Sequence, residues 1–353
     1  MEKYFKLTNK SCCHNKFQFV EGLNIDIVPF TNYGDCLPGG IYFTAARYIQ
    51  MWINYNDDEM YYIWEVEIPE DARVYRQAYK LKADKIILSN KKTLYDFFSD
   101  NLQIAFINLQ ENSYILTFIK PQTYSLCLQA VKINGNALRY VKEQAFELQT
   151  PNGCNTIWYE EICVEAIKQT AYAIQYVKTD IYGYHSICLI AVKINGLVLL
   201  FIKNPTPEIC LAAVQQDGRS LEYVKEQTPE MCMTAVRRNG LALQYVKEKT
   251  AELCLAAVQN NGYAMRYVLY QTPEVCLAAV RNNGYAIQYI EEKTDELCLE
   301  AVKQNGFALA HITNQTSEIC LAAVRQNGLA FQFVKNMTNE ILMVARNDKR
   351  YYE

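Results

Sequence analysis

Cysteine recurs every 22 residues through the second half of the chain. Self-similarity at a fixed period is typical of repeat proteins, in which each repeat is one supersecondary motif that cannot bury its apolar face alone. Neighbouring repeats bury these faces for one another, so the sequence predicts a stack stabilised by contacts between adjacent units. The register is set by Cys188, Cys210, Cys232, Cys254, Cys276, Cys298 and Cys320, and Leu342 takes the next position.

The unit Thr206–Gln227 shows the pattern within one repeat. Ile209, Cys210, Ala213 and Val214 fall on one stripe of a helix, because their spacing is helical and does not alternate as in a strand. A second apolar run follows an Asp-Gly or Asn-Gly dipeptide in this unit and in the units after it. We therefore predict a helix-turn-helix repeat, with helices of roughly 7 to 10 residues.

The ends of the first helix are also marked in the sequence. Thr206 offers a side-chain oxygen to the free amides at the helix start, Pro207 suits the first helical position, and Glu208 lies at the positive end of the helix dipole. Gly218 follows the helix and is expected to end it in the left-handed conformation that glycine adopts readily. The same signals recur in later units.

The repeat can be traced back, with growing irregularity, to units led by Cys163, Cys127 and Ala105, which gives about eleven units in all. The region between residues 143 and 187 is irregular and contains an insertion. We predict an α-solenoid of short helix-turn-helix repeats over residues 93–353, preceded by a small α+β domain over residues 1–92. The chain is expected to be mostly α-helical.

Residues 1–92 have a different pattern, in which short aromatic and β-branched runs are separated by Gly, Pro, Asn and Asp. Such runs predict strands. The predicted strands are Lys3–Leu7, Lys16–Val20, Gly40–Thr44, Tyr61–Ile68, Ala72–Tyr75 and Lys85–Leu88, and a helix is predicted from Ala45 to about Ile53.

Charge and composition exclude some classes of function. The formal net charge of −3 gives no electrostatic reason to expect binding to nucleic acid or to an anionic membrane. The chain opens without an apolar signal-like segment, and no apolar run approaches the length that spans a bilayer. The 13 cysteines recur mostly at one helical position, which favours buried, reduced thiols over a disulfide framework. An intracellular protein is expected.

The pattern Cys-Leu-x-Ala-Val-x-x-Asn-Gly-x-Ala-Leu-x-Tyr-Val, over roughly Asn101–Asn347, resembles short helical repeats of unknown function in giant viruses of the mimivirus group. The amino-terminal region, including His14–Phe17 and Gly34–Thr44, is similar to that of giant-virus ankyrin-repeat proteins. If one amino-terminal domain, here called the head, precedes two kinds of solenoid, the head has a shared role and the solenoids are interchangeable binding elements. The resemblance also implies a location in the host cytoplasm, with the viral factory or the virion left open.

A second resemblance concerns catalysis. The run Gly39–Phe43 together with His14 looks like the histidine and tyrosine strands of the ADP-ribosyltransferase fold, in which the residues matching His14 and Tyr42 position the nicotinamide end of NAD. The third residue, a glutamate, could be Glu65, Glu67 or Glu70. The alternative is that Gly39-Gly40 forms a tight turn and Tyr42 is a core aromatic residue.

Residue types that ligate zinc lie near the amino terminus. Cys12, Cys13, His14 and Cys36 are zinc-ligand types, but adjacent cysteines lack the two-residue gap that lets both thiolates reach one ion. The sequence therefore predicts neither a metal nor a cofactor.

Polar side chains recur at fixed positions on the repeats, and their identity varies at the fifth and sixth positions after each cysteine. Varied polar groups on a constant frame are what recognition of a protein partner requires, although solvated or ion-paired faces would look the same. A second column could read one RNA base per repeat, but the acidic residues and the net charge argue against this. The candidates are Arg237, Arg281, Lys303 and Arg325 at the fifth position, and Gln244, Arg266 and Gln288 in the second column.

The sequence thus predicts a non-enzymatic interaction scaffold or adaptor of a large DNA virus, which binds a host or viral protein through its repeats. An ADP-ribosyltransferase-like head that is targeted by the solenoid is the alternative, and a nucleic-acid-binding repeat protein is the second alternative. Membrane association is not expected. The sequence leaves the oligomeric state open.

Overall fold

The computed structural model describes residues 2–14, 17–33, 37–55, 58–142 and 155–347. The chain divides into two compact units, Met1–Ile187 and Cys188–Glu353. The domain boundary predicted between residues 92 and 93 falls inside the first of these units and stays a prediction. The insertion predicted around residues 151–154 lies outside the described residues.

The first unit begins with an antiparallel sheet of seven strands in the order β4-β11-β8-β1-β5-β10-β9. Two short hairpins, β2-β3 and β6-β7, accompany it. The strands are β1 (Tyr4–Thr8), β2 (Cys13–His14), β3 (Phe17–Gln18), β4 (Gly22–Ile25), β5 (Ile41–Ala45), β6 (Asn54–Tyr55), β7 (Asp58–Glu59), β8 (Tyr62–Glu67), β9 (Val74–Arg76), β10 (Leu81–Ala83) and β11 (Lys85–Thr93).

The six predicted strands correspond to β1, β3, β5, β8, β9 and β11, whereas β2, β4, β6, β7 and β10 were missed. The missed strands are all short, and β10 carries Lys82, which is buried although lysine is a poor strand signal. The helix predicted after Ala45 is a 3-10 helix, Ala46–Met51. The sheet has apolar residues on both faces, and Phe5 packs edge-on against Phe97 of the following helix.

Among the described residues that follow β11, the first unit is mainly helical. Its α-helices are α1 (Leu94–Asp100), α2 (Leu102–Glu111), α3 (Tyr124–Ile133) and α4 (Asn155–Gln169), and α5 (Tyr184–Ile194) contains the division between the two units. Its further 3-10 helices are Ser113–Phe118, Gly135–Tyr140 and Ala171–Tyr176. Ala105, Cys127 and Cys163, which were predicted to lead these units, are fully buried.

The second unit repeats a ten-residue α-helix followed by a six-residue 3-10 helix, which confirms the predicted repeat fold. The α-helices are α6 (Pro207–Gln216), α7 (Pro229–Arg238), α8 (Ala251–Asn260), α9 (Pro273–Asn282), α10 (Asp295–Gln304), α11 (Ser317–Gln326) and α12 (Asn339–Arg346). The 3-10 helices are Gly196–Phe201, Gly218–Tyr223, Gly240–Tyr245, Gly262–Tyr267, Gly284–Tyr289, Gly306–His311 and Gly328–Phe333.

The predicted helix starts are confirmed in detail. Thr228 caps α7 by accepting a hydrogen bond from the Met231 amide, and Pro229 takes the first helical position. The threonine caps of α6 and α8 to α12 make the same bond. The hydroxyl satisfies one of the amides that a helix start leaves without a partner.

The predicted role of the repeat glycine was wrong. The glycines with positive φ in the described chain are Gly22, Gly39 and Gly40, none of which belongs to a repeat. The residue that ends α7 is Asn239, with φ −149° and ψ 107°, and its side chain accepts a hydrogen bond from the Leu241 amide to start the 3-10 helix. Extended φ/ψ values at the asparagine stop the helix without a left-handed residue.

Glycine is needed instead for close contact between units. A Cβ placed on Gly240 would lie 2.3 Å from the carbonyl oxygen of Ala257 in the next helix, which is a steric clash. The equivalent distances at Gly196, Gly218, Gly262, Gly284 and Gly306 are 2.3 to 2.6 Å. The repeat spacing therefore depends on a bare backbone at this position.

The register cysteines face inward as predicted. The seven thiols from Cys188 to Cys320 belong to residues that are at most 6% exposed, and none forms a disulfide with another described residue. Burial raises the pKa of Cys127 and Cys163 to about 12, and it also raises the pKa of Cys254. These thiols therefore stay protonated and act as small apolar groups in the core.

Ser220 breaks the apolar pattern of the core. It is fully buried, and its hydroxyl has no hydrogen-bond partner among the described residues. Alanine takes its place in later units, at Ala242, Ala264, Ala286, Ala308 and Ala330.

We expect Ser220→Ala to raise the free energy of unfolding by about 1 kcal/mol, because it removes a buried hydroxyl that makes no bond. Chemical denaturation of the full chain measures this difference. The reciprocal change, Ala242→Ser, should lower stability by a similar amount, and equal stability of all three proteins would contradict the structure at Ser220.

Candidate binding surface

The sixth-position amides, which lie six residues after five of the seven register cysteines, hold adjacent repeats together. Their side-chain oxygens accept hydrogen bonds from the repeat glycine of the preceding repeat at 2.6 to 2.7 Å. The Asn260 amide nitrogen also donates to the Arg237 carbonyl at 2.9 Å. The sixth-position amides are Gln216, Asn260, Asn282, Gln304 and Gln326. At these five positions the change between Asn and Gln is explained by stacking, since both supply the oxygen that stacking requires, whereas Arg238 takes the position after Cys232.

The fifth-position residues are exposed, as a binding surface requires. Arg237, Arg281, Lys303 and Arg325 each lie in the last turn of an α-helix, where a cation also stabilises the negative end of the helix dipole. Arg281 and Lys303 both contact Glu300, at 3.2 and 3.5 Å. Arg237 and Arg325 form no ion pair with another described residue and thus present their charge to solvent.

The second predicted column lies on the 3-10 helices. Gln244, Arg266 and Gln288 are exposed at equivalent positions. Gln244 accepts a hydrogen bond from the Tyr267 hydroxyl at 3.2 Å, and the Arg266 guanidinium carbon lies 5.1 Å from the centre of the Tyr267 ring. Their contacts are local, so the structure leaves their role in binding a prediction.

A lysine position that sequence reasoning did not single out also links the repeats. Lys247 Nζ donates to the carbonyl of Lys225, and Lys335 Nζ donates to the carbonyl of Thr313 at 3.0 Å, in each case 22 residues back. Leu269, Glu291 and Thr313 stand at this position in the three units between these lysines. Leu269 and Glu291 cannot donate such a bond at neutral pH. The sequence shows that lysine is replaced in these units, but the replacement has a meaning only once the lysines are known to bond the backbone.

A groove of about 850 Å³ lies beside these two departures. Leu269 and Tyr270, which line it, are 72% and 84% exposed. The remaining lining includes four exposed carboxylates, which form no ion pair with other described residues: Glu274, Glu291, Glu292 and Glu296. We call this region the 269–297 groove. It combines exposed apolar surface with uncompensated negative charge.

Tyr42, a catalytic candidate, lies on β5 in the amino-terminal sheet. Its hydroxyl donates to the Leu37 carbonyl at 3.2 Å, and the ammonium groups of Lys80 and Lys82 lie 4.8 and 5.2 Å from the centre of its ring. Gly39 and Gly40 have φ of 85° and 121°, which agrees with the alternative that they form a tight turn. These contacts give Tyr42 a role in packing.

Two candidate glutamates, Glu65 and Glu67, lie on β8, which β1 separates from the β5 strand of Tyr42, and Glu70 is exposed in a turn after β8. Phe5 of β1 pairs with Glu65 and is 1% exposed. Glu65 accepts a hydrogen bond from the Asn90 amide at 2.9 Å, and Glu67 is exposed. Tyr42 and the two glutamates of β8 therefore lie on strands that are not neighbours in the sheet, and the enzymatic alternative stays a hypothesis.

The remaining candidates of the head are only partly described. His14 belongs to β2 and pairs with Phe17, but its side chain lies outside the described part of the chain, as does Cys36. The Cys13 thiol donates to the Gln18 side chain. Within the described ranges no three His, Cys, Asp or Glu residues are grouped as metal ligands, and no helix is long and apolar enough to cross a membrane.

Comparison with known proteins relates these repeats to a described family. A family model described as a domain of unknown function, DUF4116, matches residues 228–271, 272–316 and 294–338. The uncharacterized protein R869 of Acanthamoeba polyphaga mimivirus is 34% identical over 104 residues, which are 27% of this chain and 71% of R869. The chain belongs to the same family as R869. No solved structure matches the chain.

Two further relatives from the same virus are named as ankyrin repeat proteins. R868 is 34% identical over 118 residues, which are 31% of this chain and 57% of R868. R896 is 32% identical over 82 residues, which are 23% of this chain and 24% of R896. The chain thus spans just over half of one relative and about a quarter of the other.

Each match to the family model spans about two 22-residue units, and one side-chain pattern of the structure also repeats every two units. The residue five before the register cysteine alternates between glutamine and lysine, from Gln227 to Lys293. Gln227 donates to the Tyr245 carbonyl at 2.8 Å and accepts from the Lys247 amide at 3.0 Å. Gln271 and Gln315 make the equivalent bonds. A full set of glutamine bonds therefore recurs at every second unit.

Proposed function

We propose that this protein is a non-enzymatic interaction scaffold or adaptor of a giant virus and that it binds a host or viral protein through its helical repeats. The observation that carries the proposal is the division of labour on the repeat surface. Cysteine, glycine and the sixth-position amides serve stacking, whereas the fifth-position residues face solvent and change from unit to unit. A constant frame with changing exposed groups provides specificity for a partner.

The relatives support the same proposal. R868 and R896 are named as ankyrin repeat proteins of a virus, and repeat solenoids of that kind present extended binding surfaces. Specificity in such a protein comes from side chains on the repeats, and no catalytic group is needed. We further propose that binding takes place in the host cytoplasm, where a viral adaptor meets both host and viral proteins.

The proposal is tested by capturing partners from infected cells with the immobilised full chain. We expect the triple variant Arg237→Ser, Arg281→Ser and Arg325→Ser to capture at least tenfold less partner than the wild-type chain, because it removes three exposed cations from one column. A matched control replaces three exposed cations of the first unit by serine, at Lys3, Arg47 and Lys168. Equal capture by all proteins would refute a binding role for the fifth-position residues.

The enzymatic alternative is tested in parallel by incubating the full chain with labelled NAD and infected-cell lysate. We expect no transfer of label that depends on Tyr42. Transfer that is present in the wild-type chain and lost in Tyr42→Phe or His14→Ala would contradict the non-enzymatic proposal.

A further inference from the structure

We infer that the 269–297 groove binds a peptide segment of the partner that presents lysine or arginine side chains beside a bulky apolar residue. The inference rests on the proposed interaction role and names the chemistry of the segment that this part of the surface recognises.

The position of the groove in the repeat frame is the first reason. Lys247 and Lys335 tie adjacent repeats from the lysine position. Leu269 and Glu291, at the same position in two of the three units between them, cannot donate that bond, so this contact does not explain their identity. Exposed leucine beside exposed tyrosine is also unfavourable in water, which leaves recognition as the function that both departures serve.

The apolar part of the groove calls for an apolar side chain in the partner. Leu269 and Tyr270 expose 72% and 84% of their surface, and tyrosine offers a large rigid face at low entropic cost. Aromatic and aliphatic anchors at the centre of an interface carry most of its binding energy. A partner residue such as tryptophan or leucine fits this part.

The charge of the groove calls for cations in the partner. Glu274, Glu291, Glu292 and Glu296 line it, whereas Lys293, the cation within the same run, donates its ammonium to the Ile290 carbonyl at 2.7 Å. Four carboxylates repel nucleic acid and anionic lipid and attract lysine and arginine. The complementary occupant is therefore a basic protein segment.

Fluorescence anisotropy with the full chain and a labelled synthetic octapeptide, Gly-Arg-Lys-Trp-Leu-Arg-Lys-Gly, tests the inference. We expect saturable binding that weakens as salt is added, because exposed charges are screened. Two comparison peptides divide the contributions: one has glutamate in place of each cation, and the other has Ser-Ser in place of Trp-Leu. Each should bind at least tenfold more weakly than the basic peptide.

In the variants of the chain, groove residues are replaced by the residues at equivalent positions of other repeats, so that folding is preserved. Leu269→Lys with Tyr270→Glu installs the residues of Lys247 and Glu248, and Glu291→Thr with Glu292→Asn installs those of Thr313 and Asn314. Each pair should weaken binding of the basic peptide at least tenfold. Glu226→Gln with Glu248→Gln removes the same charge outside the groove and should leave affinity within twofold.

Unchanged affinity in both groove variants, or no binding to the wild-type chain, would overturn the inference about the groove. Tighter binding of a labelled oligouridylate than of the basic peptide would overturn it as well. Neither result touches the capture of partners through Arg237, Arg281 and Arg325, so failure of this inference is separable from failure of the proposed function.

Discussion

Replacing Cys254 by aspartate is expected to destabilise the second unit by about 3 kcal/mol or more, because it buries a carboxylate in an apolar site. Cys254 is 4% exposed, in α8 near the middle of this unit. Lys249 acts on Cys254 electrostatically, and its positive charge offsets part of the cost. Stability in a repeat stack is a sum of terms between neighbours, so thermal or chemical denaturation should show early loss of several repeats.

The variant Cys254→Asn separates the effect of charge from that of shape, because asparagine has the same shape as aspartate and carries no charge. Burial raises the pKa of an aspartate above its unfolded value of about 3.9, so the charge penalty is complete at neutral pH. As the pH falls towards 4 the folded carboxyl takes up its proton, and the stability of the aspartate variant should approach that of the asparagine variant. An aspartate variant that melts like the parent at pH 7 would show that the cysteines do not face the core.

Gly240→Ala is expected to lower the free energy of unfolding by about 2 to 3 kcal/mol, as overpacking of a close contact does. An alanine Cβ would meet the Ala257 carbonyl oxygen at 2.3 Å, and relief of that clash must separate α8 from the 3-10 helix Gly240–Tyr245. The separation also strains the bond of 2.7 Å from the Gly240 amide to Asn260. Urea denaturation followed by circular dichroism measures the effect.

The sign of this effect is diagnostic. If Gly240 only ended a helix in an unstrained conformation, alanine would stabilise the chain by about 0.4 to 1 kcal/mol, because it lowers the entropy of the unfolded state. Gln259→Ala places the same residue on an exposed position of α8 and should change stability by less than about 0.5 kcal/mol. Stabilisation by Gly240→Ala would refute the close-contact role.

Part of the binding surface could be predicted from the sequence. Periodicity alone placed Arg237, Arg281, Lys303 and Arg325 on equivalent exposed positions, because residues at one repeat position share one environment. It did not separate the fifth position from the sixth, since both are polar and variable. The bond from the Gly240 amide to Asn260 spans 20 residues, and only the packed repeats show it.

The 269–297 groove was not predicted for a related reason. In the sequence, Leu269-Tyr270 is one more variation in a polar loop. Its meaning depends on the bond between Lys247 and the Lys225 carbonyl, which crosses from one repeat to the next. Departure from a repeat is informative only when the structural role of the regular residue is known.

The sequence by itself determined the repeat architecture, the inward-facing cysteines and the helix starts. The period of 22 residues is visible directly along the chain, and an apolar stripe and a Thr-Pro-Glu cap follow local rules because they act within a few helical turns. Only the tertiary structure decided why glycine occupies its position, which amides bind neighbouring repeats and where the surface departs from the frame. Each of these depends on a contact between residues about 20 positions apart, and such a distance is fixed by how repeats pack and not by any one segment.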